Sequence, residues 1–139
     1  MLKRADLITQ TSKQLDLFSD FLDDFSPHPI TGDIARYKNE QSIKQSVKNL
    51  VLTSLGERFF QPSIGSLIYK ALFEPNDSVM VNSLFFYIQN ALQNNEPRVN
   101  LLNVFLLPSD DSSVSLNIVY SIINSQTPQN LNLLLRRVR

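Results

Sequence analysis

The chain of 139 residues has no cysteine, one histidine and only three glycines. Without cysteine there is no disulfide, no thiolate metal ligand and no cysteine nucleophile. A lone histidine cannot furnish a multi-histidine metal site, so neither a metal nor another cofactor is expected. Three glycines are too few for a phosphate-cradling loop, and no Ser-His-Asp candidate has a supporting elbow. No excess of charge of either sign exists: 13 Lys and Arg balance 13 Asp and Glu. Such a chain has no global attraction for nucleic acid or an anionic membrane, and neither is expected as a partner. Near-zero charge instead favours association, as in an assembly component. No apolar run approaches the ~20 residues of a membrane span. The start, Met1-Leu2-Lys3-Arg4-Ala5-Asp6, is basic but has no apolar stretch after it, so no signal peptide is expected.

What is present is ordinary globular material, with 42% hydrophobic and 19% charged residues. The length suits one domain with one core: an arm over 1–38, a helical part over 39–94 and antiparallel strands over 96–139. In the arm, Leu17, Phe18, Phe21, Leu22 and Phe25 fit a helical stripe, while the Asp-rich text and Pro27-His28-Pro29 fit an extended segment equally well. Thr31-Gly32-Asp33 reads as a turn. Ile43, Val47, Leu50, Val51 and Leu55 recur at helical spacing, with Gly56 as the stop. Ser63 is placed to cap a second helix bearing Ile64, Leu67, Ile68, Ala71 and Leu72. A third carries Val81, Leu84, Phe85, Ile88 and Leu92.

The period changes after Glu96-Pro97-Arg98. Val99 to Leu107 is apolar on both faces, as in a central strand. After the turn Pro108–Ser112, the residues Val114, Leu116, Ile118, Tyr120 and Ile122 alternate with Ser113, Ser115, Asn117, Val119 and Ser121, the pattern of a half-buried strand. Leu131, Leu133 and Leu135 mark a last strand ending in Arg136-Arg137-Val138-Arg139. Three helices followed by about three antiparallel strands, preceded by an extended or helical arm, make an α+β fold. The last strand exposes backbone groups unless something covers its edge, and an assembly protein can recruit a neighbour there.

Two segments, Gly56-Glu57-Arg58 and Glu96-Pro97-Arg98, carry the remaining chemistry. Two carboxylates suggest glycoside cleavage, which needs them ~5–5.5 Å or ~6.5–9.5 Å apart. A small muramidase using Glu57 and Glu96 is therefore the alternative function. A catalytic acid needs a raised pKa, however, and a neighbouring arginine works the other way. The structural reading is an ion pair whose arginine fork pins a loop. Pro97 suits it by fixing the backbone where helix passes to strand. No catalytic residue is assigned. His28, between two prolines, reads as a loop histidine, and the terminal arginines as a solvated or partner-facing edge.

The order of these segments resembles a known family. Thr53-Ser54-Leu55-Gly56-Glu57-Arg58-Phe59-Phe60-Gln61-Pro62-Ser63-Ile64-Gly65-Ser66 is similar to the signature of the baseplate wedge family of contractile phage tails, often labelled lysozyme-like and including TssE of type VI secretion. Leu72-Phe73-Glu74-Pro75, Glu96-Pro97-Arg98-Val99 and Thr31-Gly32-Asp33-Ile34 fit the same family, and the likeness runs from about residue 30 to 123. It implies a structural subunit of the virion tail baseplate, assembled in the host cytoplasm and present in six copies. The implied partners are other wedge proteins, through their helical core bundle, and the tail sheath protein, whose assembly the sheet would template by strand addition; no small-molecule substrate is implied. Carried over, Glu96, Pro97 and Arg98 become the partner-binding motif, while Gly56, Glu57, Arg58, Pro62 and Gly65 brace their loop. A phage, a type VI system and a phage-derived injection particle would all fit.

Overall fold

The computed structural model describes residues 16–73, 78–107, 113–123, 125 and 127–136. Five strands and three helices follow in the order β1 (Ser19–Phe21), β2 (Arg36–Lys38), α1 (Glu40–Leu52), α2 (Ile68–Ala71), α3 (Ser78–Asn95), β3 (Val99–Leu107), β4 (Ser113–Ile122) and β5 (Gln129–Arg136). The fold is α+β, with three helices before a three-stranded antiparallel sheet in the order β3-β4-β5. Residues 1–15, Glu74 and Pro75 of the family-like segment, the expected turn Pro108–Ser112 and the terminal Arg137-Val138-Arg139 lie outside the described residues.

One apolar core joins the helices to one face of the sheet. Ile43, Val47 and Val51 of α1, Met80, Leu84 and Ile88 of α3, and Leu116, Ile118 and Tyr120 of β4 are among its fully buried side chains. Each residue of this size contributes about 1.5–3 kcal/mol by leaving water. The strict alternation of β4 is seen directly: its even-numbered residues 114–122 are buried and the intervening ones half-buried.

Four readings of the sequence need correction. The first helix ends at Leu52, not at Leu55, because Thr53 is extended and its hydroxyl takes the Asn49 carbonyl at 2.7 Å. Leu55 therefore lies exposed in the following loop, which Gly56 also occupies instead of stopping the helix. The second helix is only Ile68–Ala71, and Ser63 caps nothing, because residues 61–66 are used in a turn instead. In α3 the buried stripe begins at Met80, and Val81 and Phe85 are only partly covered. Finally, β3 is an edge strand, not the central one, which is β4. Its outward Leu102, Phe105 and Leu107 are exposed, and a bulge between Leu101 and Asn103 shifts its register. Apolar residues on both faces therefore mark here an uncovered outer face and not a second buried layer.

Residues 16–38 form a β1–β2 ribbon laid against α1. Asn39, at the start of α1, serves this ribbon instead of capping its own helix: its Oδ1 accepts the Leu17 and Phe18 amides at 2.8 and 3.3 Å. Gln45 and Asn49 both donate to Asp23 on the ribbon. His28 braces the ribbon's turn by accepting the Ile30 and Thr31 amides on Nδ1.

Candidate functional site

The two glutamate–arginine segments sit in different surroundings. Glu96 follows the last turn of α3, with its amide on the Leu92 carbonyl at 2.8 Å, and its own carbonyl accepts from Val99 as the chain enters β3. Its side chain is only 5% exposed. A carboxylate so buried needs several partners. Arg98 Nε donates to Oε1 at 2.5 Å, Arg98 Nη2 donates to Oε2 at 2.7 Å, and the Ser46 hydroxyl of α1 donates to Oε2 at 2.6 Å. Burial by itself raises the Glu96 carboxyl, but the Arg98 and Ser46 hydrogen bonds and the Arg98 charge outweigh it and hold it below the usual carboxylate range.

Arg98 has a second partner. Its guanidinium lies over the Phe18 ring of the ribbon, 4.9 Å from the centroid. The Glu96–Arg98 pair therefore ties together the end of α3, the middle of α1, the start of β3 and the N-terminal ribbon. Pro97 is exposed between the two charged residues, and 38% of the Arg98 side chain remains open to solvent.

Gly56-Glu57-Arg58 belongs to an exposed loop between α1 and α2. The loop is closed by backbone: Ser66 N donates to Thr53 O at 2.8 Å, Leu55 N to Ser66 O at 3.3 Å, and Gly56 N to Pro62 O at 2.9 Å. Beneath it the Ser66 hydroxyl, buried, donates to the Val51 carbonyl at 2.6 Å. Gly65 makes this closure possible. Its φ of +136° suits glycine, and a Cβ there would meet Thr53 O at 2.7 Å. Glu57 Oε2 accepts the Ser54 amide at 2.8 Å. Arg58 is exposed and makes no ion pair among the described residues, so the expected pairing of Glu57 with Arg58 is absent. The loop displays Phe59 and Phe60 at its tip, 97% and 99% exposed. Sequence reasoning passed over this pair, although adjacent phenylalanines inside a glycine- and proline-bounded loop were a readable signal.

The geometry does not suit acid–base hydrolysis. Glu96 is sealed and held ionised, whereas a general acid must keep its proton near neutral pH. The Glu57 carboxylate lies in a separate loop and is engaged with the Ser54 backbone amide. Among the described residues no group of three or more His, Cys, Asp or Glu stands ready to hold a metal ion, and no helix is long and apolar enough to cross a membrane.

Comparison with known proteins supplies a family and a shared fold. Residues 38–127 match the family of baseplate wedge protein gp25. The chain is 31% identical over 94 residues to the baseplate wedge protein gp25 of Enterobacteria phage T4, covering 67% of this chain and 71% of that protein. Three solved structures share the fold. A tail lysozyme-like protein of Geobacter sulfurreducens superposes with a TM-score of 0.64 at 24% identity, over 72% of this chain and 92% of that one. A chain of the anti-feeding prophage baseplate gives 0.60 at 18% identity, over 86% and 85%. A chain of the post-contraction pyocin R2 baseplate gives 0.56 at 23% identity, over 70% and 96%.

Proposed function

We propose, from the premise that this chain belongs to the gp25 family of baseplate wedge proteins, that it joins the wedge core to the tail sheath and templates the first sheath ring by strand addition. The chain is a structural component of a contractile-tail baseplate, and its work is done by buried area and strand pairing. Other wedge proteins and the sheath subunit are its proposed partners, in six copies around the tail, with assembly completed in the host cytoplasm before the particle leaves.

The observation that carries the strand-addition reading is the contrast between the two sheet edges. β5 pairs with β4 without a register shift from Gln129 to Arg136, and no described strand covers its other side. Alternate residues of such an edge turn both N–H and C=O outward, ready for another strand. The β3 edge is blunted: the bulge at Leu101/Asn103 breaks its register, and the Asn103 side chain takes the Val104 amide at 2.8 Å. Strand addition therefore belongs at β5.

For the wedge contact, Pro97 and the open part of Arg98 offer a small surface whose arginine is already fixed by Glu96 and Phe18. A guanidinium held in place loses less entropy on binding than a free one. Gly56, Glu57, Pro62 and Gly65 keep the loop between α1 and α2 in shape, and Arg58, exposed and without an ion pair among the described residues, faces a neighbour. A reconstruction of the assembled particle tests the whole reading. A sheath strand hydrogen-bonded along Leu131–Leu135, with a wedge helix against Pro97 and Arg98, is expected. A first sheath ring that engages the chain anywhere but β5 would overturn the templating role.

A further inference from the structure

A recess of about 210 Å³ opens beside the β5 edge. Leu131 of β5 forms one wall, Lys44, Gln45 and Lys48 of α1 another, and Asp23 and Tyr37 of the ribbon a third. We propose that this recess receives an acidic side chain from the strand that adds to β5, so that the incoming segment is chosen by charge as well as by backbone pairing. The inference rests on the strand-addition reading and adds the chemistry of the partner.

Position comes first. Side chains of an added strand alternate between the sheet faces. Those on the face of Leu131, Leu133 and Leu135 run toward the helical layer, where the recess lies. In β-augmentation the backbone bonds supply affinity, and pockets for alternate side chains supply selectivity.

Charge comes second. Lys44 and Lys48 are four residues apart, on one stripe of α1, both exposed and neither in an ion pair among the described residues. The only carboxylate in the lining, Asp23, already accepts hydrogen bonds from Gln45 and from Asn49 on Oδ1. The recess is left with an excess of positive charge.

The third observation is an orphaned acceptor. Gln45 is 8% exposed, and its Nε2 donates to the Phe21 carbonyl at 3.0 Å and to Asp23, which fixes the orientation of the amide. Its buried Oε1 is left without a donor. The α1 wall of the recess is therefore short of one hydrogen-bond donor. Leu131 and Tyr37 supply apolar wall, which suits a glutamate's methylenes beneath its charged head. Arg136, five positions along β5 and on the opposite face, adds a second cation. The segment that fits best therefore carries two acids about five residues apart, one for each face of the extended sheet.

The test tethers the probe to the full chain, beyond Arg139, through a Gly-Ser linker of about ten residues. Three versions carry an eight-residue alternating strand with Glu, Gln or Lys at every second position. Amide exchange across residues 129–136 is the readout, with the untailed chain as reference. The Glu tail is expected to slow β5 exchange about tenfold more than the Lys tail at low salt, a difference that high salt reduces. The double variant Lys44→Glu/Lys48→Glu, checked for an unchanged melting midpoint, is expected to reverse the preference. Equal protection by all three tails would overturn the acidic recess and leave strand addition standing. A Glu preference that survives the double variant would also overturn it. If no tail protects β5, strand addition at this edge fails, and the recess fails with it.

Discussion

The two glutamate–arginine segments look alike as text and do opposite physical work. At Glu96-Pro97-Arg98 the carboxylate is buried and anchors the arginine, so the charge pair works inside the molecule and leaves only the open part of Arg98 for a partner. At Gly56-Glu57-Arg58 the carboxylate holds one backbone amide, the arginine has no ion pair among the described residues, and the loop is closed by main-chain bonds and a glycine. A glutamate next to an arginine thus says little by itself. What decides its role is whether the surroundings exclude water, because burial makes an unpaired carboxylate costly and a paired one rigid.

The largest effect is expected at the buried pair. Arg98→Ala leaves Glu96 without its cation. Breaking a buried pair costs about 3–5 kcal/mol, and the partly open arginine puts this one near the lower end, about 3 kcal/mol by urea unfolding. Replacing both residues, Glu96→Gln with Arg98→Leu, is expected to recover most of the loss. Any assembly defect in Arg98→Ala must therefore be read against the double variant, which keeps the fold and lacks the guanidinium. Acid sharpens the same point. The folded-state pKa of Glu96 is depressed below the ordinary value of 4.5, so its stabilisation is complete above about pH 4.5 and is lost as pH falls through the folded pKa. Glu96→Gln is expected to flatten that acid limb of the stability curve; an unchanged limb would mean that other carboxylates set it.

In the loop the comparison narrows to two glycines. Gly65→Ala forces a Cβ against the Thr53 and Ser54 backbone, in a φ that side chains rarely adopt, and about 2 kcal/mol or more is expected to be lost. Gly56→Ala meets no atom within 4 Å and bears only the strain of φ +85°, about 1 kcal/mol. Equal losses would show that clash contributes nothing at Gly65. Glu57→Ala removes one hydrogen bond at an exposed site and is expected to cost about 0.5–1 kcal/mol.

Much of this architecture was legible in the sequence. The stripes of α1 and α3 and the alternation of β4 report a core face directly, since periodicity follows from burial. The failures share a cause. Val99–Leu107 reads as central because both its faces are apolar, but apolarity does not say whether a face is covered or awaits a partner, and Leu102, Phe105 and Leu107 are uncovered. Ser63 resembled a cap, but the geometry of Gly65 and the Ser66–Val51 bond drew residues 61–66 into the loop closure. Of the site, the Glu96–Arg98 pairing followed from charge and spacing. Its third and fourth members, Ser46 and Phe18, lie 50 and 78 residues away from Glu96 and bear no local mark. Nothing short of the fold brings them there.

The smallest expected stability effect falls on the most conspicuous side chains. Phe59 and Phe60 are almost wholly exposed, so their removal takes nothing from the core. Phe59→Ser/Phe60→Ser is expected to change the unfolding free energy by less than about 0.5 kcal/mol. It is also expected to reduce self-association of the purified chain, measured by sedimentation, because two solvent-facing aromatics on a braced loop are an adhesive surface. A loss comparable to that of Gly65→Ala would place the pair in the fold instead, and the contrast between an inward-working and an outward-facing motif would collapse. If stability holds and self-association falls, the loop is confirmed as a rigid mount whose tip contributes nothing to the subunit that carries it.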